Sequence, residues 1–227
     1  MKKSSTNKTA IVIGATGLIG SNVVTLLTEA EHIGRVVVIT RRPVEYVSEK
    51  VENYVIDFEH LSDHEGLFAG DVLFSCLGTT LKQAGSIAAQ RVIDLDYQHT
   101  AARIAFEQGV SHYLLVSSSG AEQRSLSAYL KMKGELEVKV QKLAFRHISI
   151  LQPSLLLGER EQSRRAEGWA SKVLPVICKL PMLRRYRPIY AATVAEKMVF
   201  LSQAPKLPFE RLSLDQVFPK NALKQMP

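Results

Sequence analysis

Tyr129 and Lys133 stand four residues apart in the run from Ser127 to Glu137, a spacing that puts both side chains on one face of a helix. Ser118 lies eleven residues before Tyr129, in the hydroxyl cluster Ser117-Ser118-Ser119-Gly120 that follows the apolar run His112 to Val116. Residues of these types can move a proton. A free tyrosine, with a pKa of ~10, is a poor acid or base near neutrality, and a nearby ammonium favours its phenolate. Ser118 can hold the oxygen of a carbonyl or an alcohol while Tyr129 gives or takes its proton. The same spacing recurs at Tyr46 and Lys50, so the pattern alone does not choose between the two pairs.

The choice rests on what else the chain can hold. Thr9 to Ile13 is an apolar run of the length of a buried strand, and Gly14, Gly17 and Gly20 follow it at intervals of three. A strand, a glycine turn and a helix in this order form a grip for a dinucleotide pyrophosphate, held at the positive N-terminal end of the helix. Gly14 makes the turn, Gly17 clears room for the phosphates and Gly20 lets helix and strand pack closely. Ala15, Thr16, Leu18 and Ile19 complete the loop, and Val23, Val24, Leu26 and Leu27 give the helix its apolar face. Ser21-Asn22 follow the last glycine in place of a Lys followed by Ser or Thr, which argues against a mononucleotide phosphate loop. A glycine turn with no ligand shares this pattern, so later residues must separate the two.

They do so in chain order. A second strand, Arg35 to Thr40, ends in Arg41-Arg42, where a carboxylate would bind a ribose 2′-hydroxyl and where guanidinium groups suit a 2′-phosphate, so NADP is favoured over NAD. The competing reading is that these arginines lie on an exposed turn before Pro43. Strands at about Tyr54 to Asp57 and Asp71 to Cys76, with a solvent-facing helix through Glu59 to Glu65 between them, continue the alternation. The pattern predicts an α/β fold, a doubly wound parallel sheet with helices on both faces. Asp57 and Phe58 at one strand end, and Leu77, Gly78, Thr79 and Thr80 at the next, fall at the carboxyl edge where such sheets bind ligands. Asp57 can accept from an adenine amine. A helix from Ala84 to Gln108 is closed by Gly109, and a fifth strand leads to Ser118.

Tyr129 thus follows the strand at the nicotinamide end of the site, whereas Tyr46 follows the second strand. Lys133 can also hold the nicotinamide ribose, and Pro153 and Ser154, after a sixth strand from His147 to Gln152, pass beside the ring. Gly168 to Leu180 is an apolar segment with the only tryptophan, Trp169, read as cap core. Ala191 to Gln203 reads as a helix, and the tail after Pro219 as frayed. Residues 153–227 are too few for an independent core, so a single domain with a small substrate-side cap is expected.

Bulk properties narrow the class. A chain of 227 residues, 46% hydrophobic, buries one sizeable core. No stretch reaches 18 apolar residues and no signal-peptide pattern opens the chain, so neither a membrane span nor export is expected, and the location expected is cytoplasmic. Cys76 and Cys178 read as buried thiols, and neither they nor His60 and His64 offer a metal-ligand spacing. The net charge of +7 attracts anions. It is carried largely by the two ends and by arginines of the last third, Arg160, Arg164 and Arg165 among them, without interleaved aromatics, which argues for a solvated face rather than nucleic acid.

With these residues assembled, the chain resembles the short-chain dehydrogenase/reductase superfamily, in the atypical branch related to sugar-nucleotide epimerases and flavin reductases. Gly14, Gly17 and Gly20 with the Ala15-Thr16 insert, Ser118, Tyr129 and Lys133 carry the likeness. Val55-Ile56-Asp57-Phe58, Cys76 to Thr80, Tyr129 to Glu137 and Leu155 to Arg164 look like motifs of the Tat-interacting-protein-like subfamily. This resemblance implies an NADP(H)-binding Rossmann-like domain in a subfamily that includes regulatory proteins as well as reductases. By position it sets Asp96 where many relatives carry an Asn of the proton relay, and Gln152-Pro153-Ser154 where many have Arg-Pro-Gly. The expected activity is NADP(H)-dependent hydride transfer to or from a small carbonyl or alcohol substrate. Two other readings stand beside it, a cofactor-binding sensor read by a protein partner and a nucleoside-diphosphate-sugar epimerase-like enzyme.

Overall fold

The structure, a computed structural model, describes residues 7–157 and 187–218. Its centre is a seven-stranded sheet built from β1 (Lys8–Ile13), β2 (Ile33–Thr40), β3 (Val51–Val55), β4 (Val72–Ser75), β5 (His112–Val116), β6 (His147–Gln152) and β9 (Phe209–Ser213). The strands lie in the order β3-β2-β1-β4-β5-β6-β9, with every neighbouring pair parallel. A short parallel pair, β7 (Leu156–Leu157) and β8 (Ile189–Tyr190), stands apart from it. The order reverses between β1 and β4, and open sheets of this class bind ligands at that crevice.

Alternate side chains of β1 face opposite layers, which is why its run is apolar throughout. Ala10 and Val12 pack with Val23, Val24 and Leu27 of α1 (Leu18–Glu29) and with Val194, Ala195 and Met198 of α6 (Ala191–Gln203). Ile11 and Ile13 enter the other core with Phe68, Leu73, Leu95, Ile104 and Leu136. Burial of each such aliphatic side chain contributes about 1.5–3 kcal/mol before entropy is set against it. Both α6 and β9 fall within the 153–227 range expected to supply a cap, and both belong to the sheet and its helical layer. Trp169, the Gly168 to Leu180 segment, Arg160, Arg164, Arg165 and the tail after Pro219 lie outside the described residues.

Three elements differ from their sequence expectation. The third strand is Val51–Val55 rather than Tyr54 to Asp57, because Val36 through Thr40 pair with Val51 through Val55 at the sheet edge. Being half-exposed there, it carries Glu52 and Asn53 where an apolar run would be needed for recognition, and Glu52 takes a two-pronged contact from Arg35 at 2.7 Å. The stretch Phe58–Phe68 forms tight 3-10 turns kinked at His60 and His64 in place of a regular helix, anchored by buried Phe58, Leu61 and Phe68. Ala84 ends a short helix, α2 (Leu81–Ala84), and instead of one helix from there to Gln108 there are three pieces: α3 (Ile87–Arg91), a π turn over Val92–Asp96, and α4 (Tyr97–Glu107). Gly85, at φ +84°, stops α2, and Ser86 caps α3 by accepting from the Ala89 amide at 3.1 Å. The expected stop at the far end holds, with Gly109 at φ +83° after α4.

Candidate functional site

The glycine loop sits where β1 meets α1 at the carboxyl edge. Gly14 has φ +79°, and a Cβ there would lie 2.4 Å from the carbonyl carbon of Cys76 at the end of β4. A Cβ on Gly20 would lie 2.2 Å from the Gly14 carbonyl oxygen, so the helix passes the loop at backbone contact. Gly17 begins α1 with no side-chain cap, and the first turn carries no acidic residue, which leaves the positive end of the helix open. Ala15 and Ile19 are buried beneath the loop, Leu18 is half-buried and Thr16 is exposed. The close backbone packing accounts for Gly14 and Gly20, and the open helix start leaves room for an anion beside them.

At the end of β2 the turn that carries Arg41 and Arg42 is braced from below. The Thr40 hydroxyl donates to the Arg42 carbonyl at 2.7 Å and accepts from the Asn53 amide at 2.9 Å, while both arginine side chains are exposed. Asp57 caps the following turn by accepting from the Glu59 amide at 3.0 Å. Phe58 is buried and meets Tyr97 edge to face at 5.9 Å between centroids, so its ring supports the loop from inside. Burial, with Glu59 and Asp57 adding to it, raises the Tyr97 hydroxyl above its ordinary range, while Arg41 pulls the other way. Tyr97 therefore shares the electrostatic neighbourhood of Arg41 and Asp57; nothing in its sequence position marks it.

The proton-handling residues converge at the other end. Ser117, Ser118, Ser119, Tyr129, Pro153, Ser154, Leu155 and Leu156 line one open cleft of about 440 Å³. Tyr129 lies in the first turn of α5 (Ala128–Gln141), whose start Ser127 caps. Lys133, one turn further, is 3% exposed, with its Nζ 5.9 Å from the centre of the Tyr129 ring and 3.0 Å from Oδ1 of Asp94. Asp94 is fully buried, and its Oδ2 accepts from the Thr79 backbone amide at 3.0 Å.

Asp94, rather than Asp96, is the acidic residue that enters the site; Asp96 is exposed. Asp94 and Asp96 both lie in the π turn, and it is the Asp94 carboxylate that meets Lys133 and the Thr79 amide. Gln98 pins that turn, donating to the Asp94 carbonyl at 2.8 Å and accepting from the Ser75 hydroxyl at 2.8 Å. Among the other loop residues, Leu77 packs on the core and Gly78 is exposed. Thr80 caps α2 in a reciprocal pair with Gln83. Burial pushes the Cys76 thiol up to about 12 against the pull of the Lys133 cation, which keeps it protonated and non-nucleophilic near neutrality.

A second buried cluster sets the strand ends around the cleft. Glu137, 2% exposed on α5, accepts from the Ser117 hydroxyl at 2.5 Å and from the Gln152 amide at 2.8 Å, and faces Arg211 of β9 at 3.1 Å. The Ser213 hydroxyl donates to the side-chain Oε1 of Gln152 at 2.6 Å. The guanidinium in this corner thus comes from β9, and Gln152 on β6 serves as a neutral link. Ser119 donates from its backbone to the Pro153 carbonyl at 3.0 Å, and the Ser154 hydroxyl donates to the Arg187 carbonyl. Among the described residues no three His, Cys, Asp or Glu side chains gather as metal ligands, and no helix is long and apolar enough to cross a membrane.

A family model described as NAD(P)H-binding matches residues 14–169. Protein HTATIP2 of Rattus norvegicus is 38% identical over 170 residues, covering 73% of this chain and 70% of its own. Protein FMP52, mitochondrial, of Eremothecium gossypii is 33% identical over 199 residues, covering 85% and 88%. Among solved structures, MoeE5 in complex with UDP-glucuronic acid and NAD aligns with a TM-score of 0.68 over 90% of this chain and 75% of that one, at 17% identity. The UDP-glucose 4-epimerase of Thermotoga maritima aligns with a TM-score of 0.64 over 86% and 73%, at 16% identity. These structural likenesses speak for the fold.

Proposed function

The chain belongs to the NAD(P)H-binding family, and from that premise we propose that it is an oxidoreductase of the atypical short-chain type that uses NADP(H) on a carbonyl or secondary alcohol. The observation that carries the reading is that Ser118 and Tyr129 line one cleft, with the Lys133 ammonium behind the tyrosine ring and the glycine loop on the same edge of the sheet. Gly14 to Gly20 would hold the pyrophosphate, Arg41 and Arg42 the 2′-phosphate, Asp57 the adenine, and Lys133, Pro153 and Ser154 the nicotinamide end. The nicotinamide, when bound, supplies or accepts the hydride.

The chain's own residues do the rest. The Ser118 hydroxyl orients the substrate oxygen, and the Tyr129 hydroxyl donates a proton to it during reduction or takes one during oxidation. The Lys133 cation stabilises the phenolate left on Tyr129. Pro153 and Leu155 to Leu156 give the cleft apolar walls, so the substrate is expected to present an apolar body beside one polar oxygen. A panel of carbonyls and alcohols with NADPH or NADP tests this. Tyr129→Phe should lower kcat about 10²-fold or more, and unchanged turnover of an accepted substrate would remove the enzyme reading.

A second reading has its own support. The charge of Lys133 is shared with the buried carboxylate of Asp94, which fits a protein that holds the dinucleotide and signals its occupancy to a protein partner. Cofactor binding without turnover across the panel would favour that reading, and turnover of a nucleoside-diphosphate sugar would favour an epimerase. The cytoplasmic location expected from the sequence stands beside fungal relatives named mitochondrial; cell fractionation distinguishes the two.

A further inference from the structure

We propose that Asp94 is a positioning residue that couples the Leu77 to Thr80 loop to Lys133, so that the cofactor's contact with the loop and the placing of the ammonium are one event. The inference rests on the dinucleotide reading above. One carboxylate serves two elements: its Oδ2 holds the Thr79 amide at 3.0 Å, and its Oδ1 faces the Lys133 Nζ at 3.0 Å. Both peptide groups that flank Thr79 are held, since Gln90 donates to the Thr79 carbonyl at 3.0 Å. A displacement of the loop therefore reaches Asp94 directly.

Stability alone does not explain the arrangement. A buried ion pair loses in desolvation much of what it gains by attraction, and apolar residues of like volume stabilise a core about as well. The π turn does not depend on the carboxylate either, because Gln98 satisfies the Asp94 carbonyl and Ser75 satisfies Gln98. Nor is the lysine locked: the contact lacks hydrogen-bond alignment, and Oδ1 has no aligned donor among the described residues. Lys133 is held by the charge of a carboxylate that is itself tied to Thr79, so the ammonium follows where the loop sets Asp94. The charged or titratable groups gathered round it are Asp94, Tyr129 and Cys76.

Calorimetric titration of NADPH into the wild type, Asp94→Asn, Asp94→Ala, Lys133→Met and the Asp94→Asn, Lys133→Met double variant tests the coupling without needing turnover. Asp94→Asn keeps an acceptor for the Thr79 amide and removes the charge facing Lys133. It should weaken binding at least threefold, and Asp94→Ala, which releases the loop as well, at least tenfold. The double variant should bind no more weakly than the weaker single variant, because the two residues act as one unit. Additive losses, or wild-type affinity in Asp94→Asn, overturn the proposal. If Lys133→Met fails to fold around its lone carboxylate, Asp94→Asn against Asp94→Ala decides, and equal affinities overturn it. A wild-type chain that binds neither NADPH nor NADH overturns the coupling together with the cofactor assignment. Binding with no turnover removes the redox reading alone.

Discussion

Arg41 and Arg42 are exposed at the end of β2 on a turn held from beneath by Thr40 and Asn53, so removing their side chains leaves that scaffold in place. A guanidinium binds a phosphate through paired charge-assisted hydrogen bonds, and a ribose hydroxyl gives it far less to hold. Replacing both by Ala should weaken NADP binding about tenfold, or ~1.4 kcal/mol, and leave NAD binding nearly unchanged; fluorescence titration with the two reduced cofactors checks it. Equal affinities in the unmodified protein would remove the proposed preference. The backbone geometry of the glycine turn and of the exposed turn after β2 was legible because short local spacing states it. Asp94 was not legible, since its place depends on a π turn that has no signature in the side-chain pattern, and Asp96, two positions later and set by the family likeness alone, offers the same chemistry. Glu137 lies four residues after Lys133 and so on the same helix face, but that spacing does not show its partners Ser117, Gln152 and Arg211, which come from the ends of β5 and β6 and from β9.

At the scale of elements, the corner made by β5, α5, β6 and β9 depends on that glutamate. Glu137 is the shared acceptor for Ser117 and Gln152 and the counter-charge of Arg211, so Glu137→Ala strands two buried donors and removes the partner of an exposed cation at once. Unmet buried polar groups cost about 1–3 kcal/mol each, with the arginine discounted for its exposure to water, so a loss of about 3 kcal/mol is expected. Urea or thermal unfolding measures it. Glu137→Gln retains an acceptor and should lose less than half as much. Because Ser117 precedes Ser118 at the mouth of the cleft, the Ala variant should also raise KM for any accepted substrate. The elements themselves were legible to different degrees. The strands buried on both faces were the plainest: β1 and β5 carry the apolar runs Ala10 to Ile13 and Tyr113 to Val116, β6 is interrupted only by Ser149 between its ends, and the stretches His112 to Val116 and His147 to Gln152 coincide with β5 and β6. The edge strand β3 and the broken helical stretch from residue 81 to 107 take their bounds from partners and caps distant in the pattern.

Across the whole molecule, the ligand edge of the sheet has a counterpart at the opposite end that sets its response to acid. His112 opens β5 and is 3% exposed; its Nε2 lies 3.0 Å from the Ser149 hydroxyl, which donates to Glu210 at 2.8 Å. Since Ser149 spends its proton on the carboxylate, its oxygen accepts from Nε2–H, and Nδ1 is buried without a partner among the described residues. Burial, with the charges of His147 and Lys8 behind it, lowers the His112 pKa from 6.5 to about 3. In the unfolded chain the ring takes its proton near 6.5, so between pH 6.5 and about 3 unfolding takes up a proton that the folded form refuses. Stability from this group is therefore complete above pH 6.5 and falls steadily as the pH drops to about 3, by on the order of 5 kcal/mol in all. His112→Gln keeps a donor for Ser149 and does not titrate. Its unfolding free energy, followed by urea titration from pH 7 to pH 4, should fall less steeply than that of the wild type, and parallel slopes would show that other groups govern the acid limb.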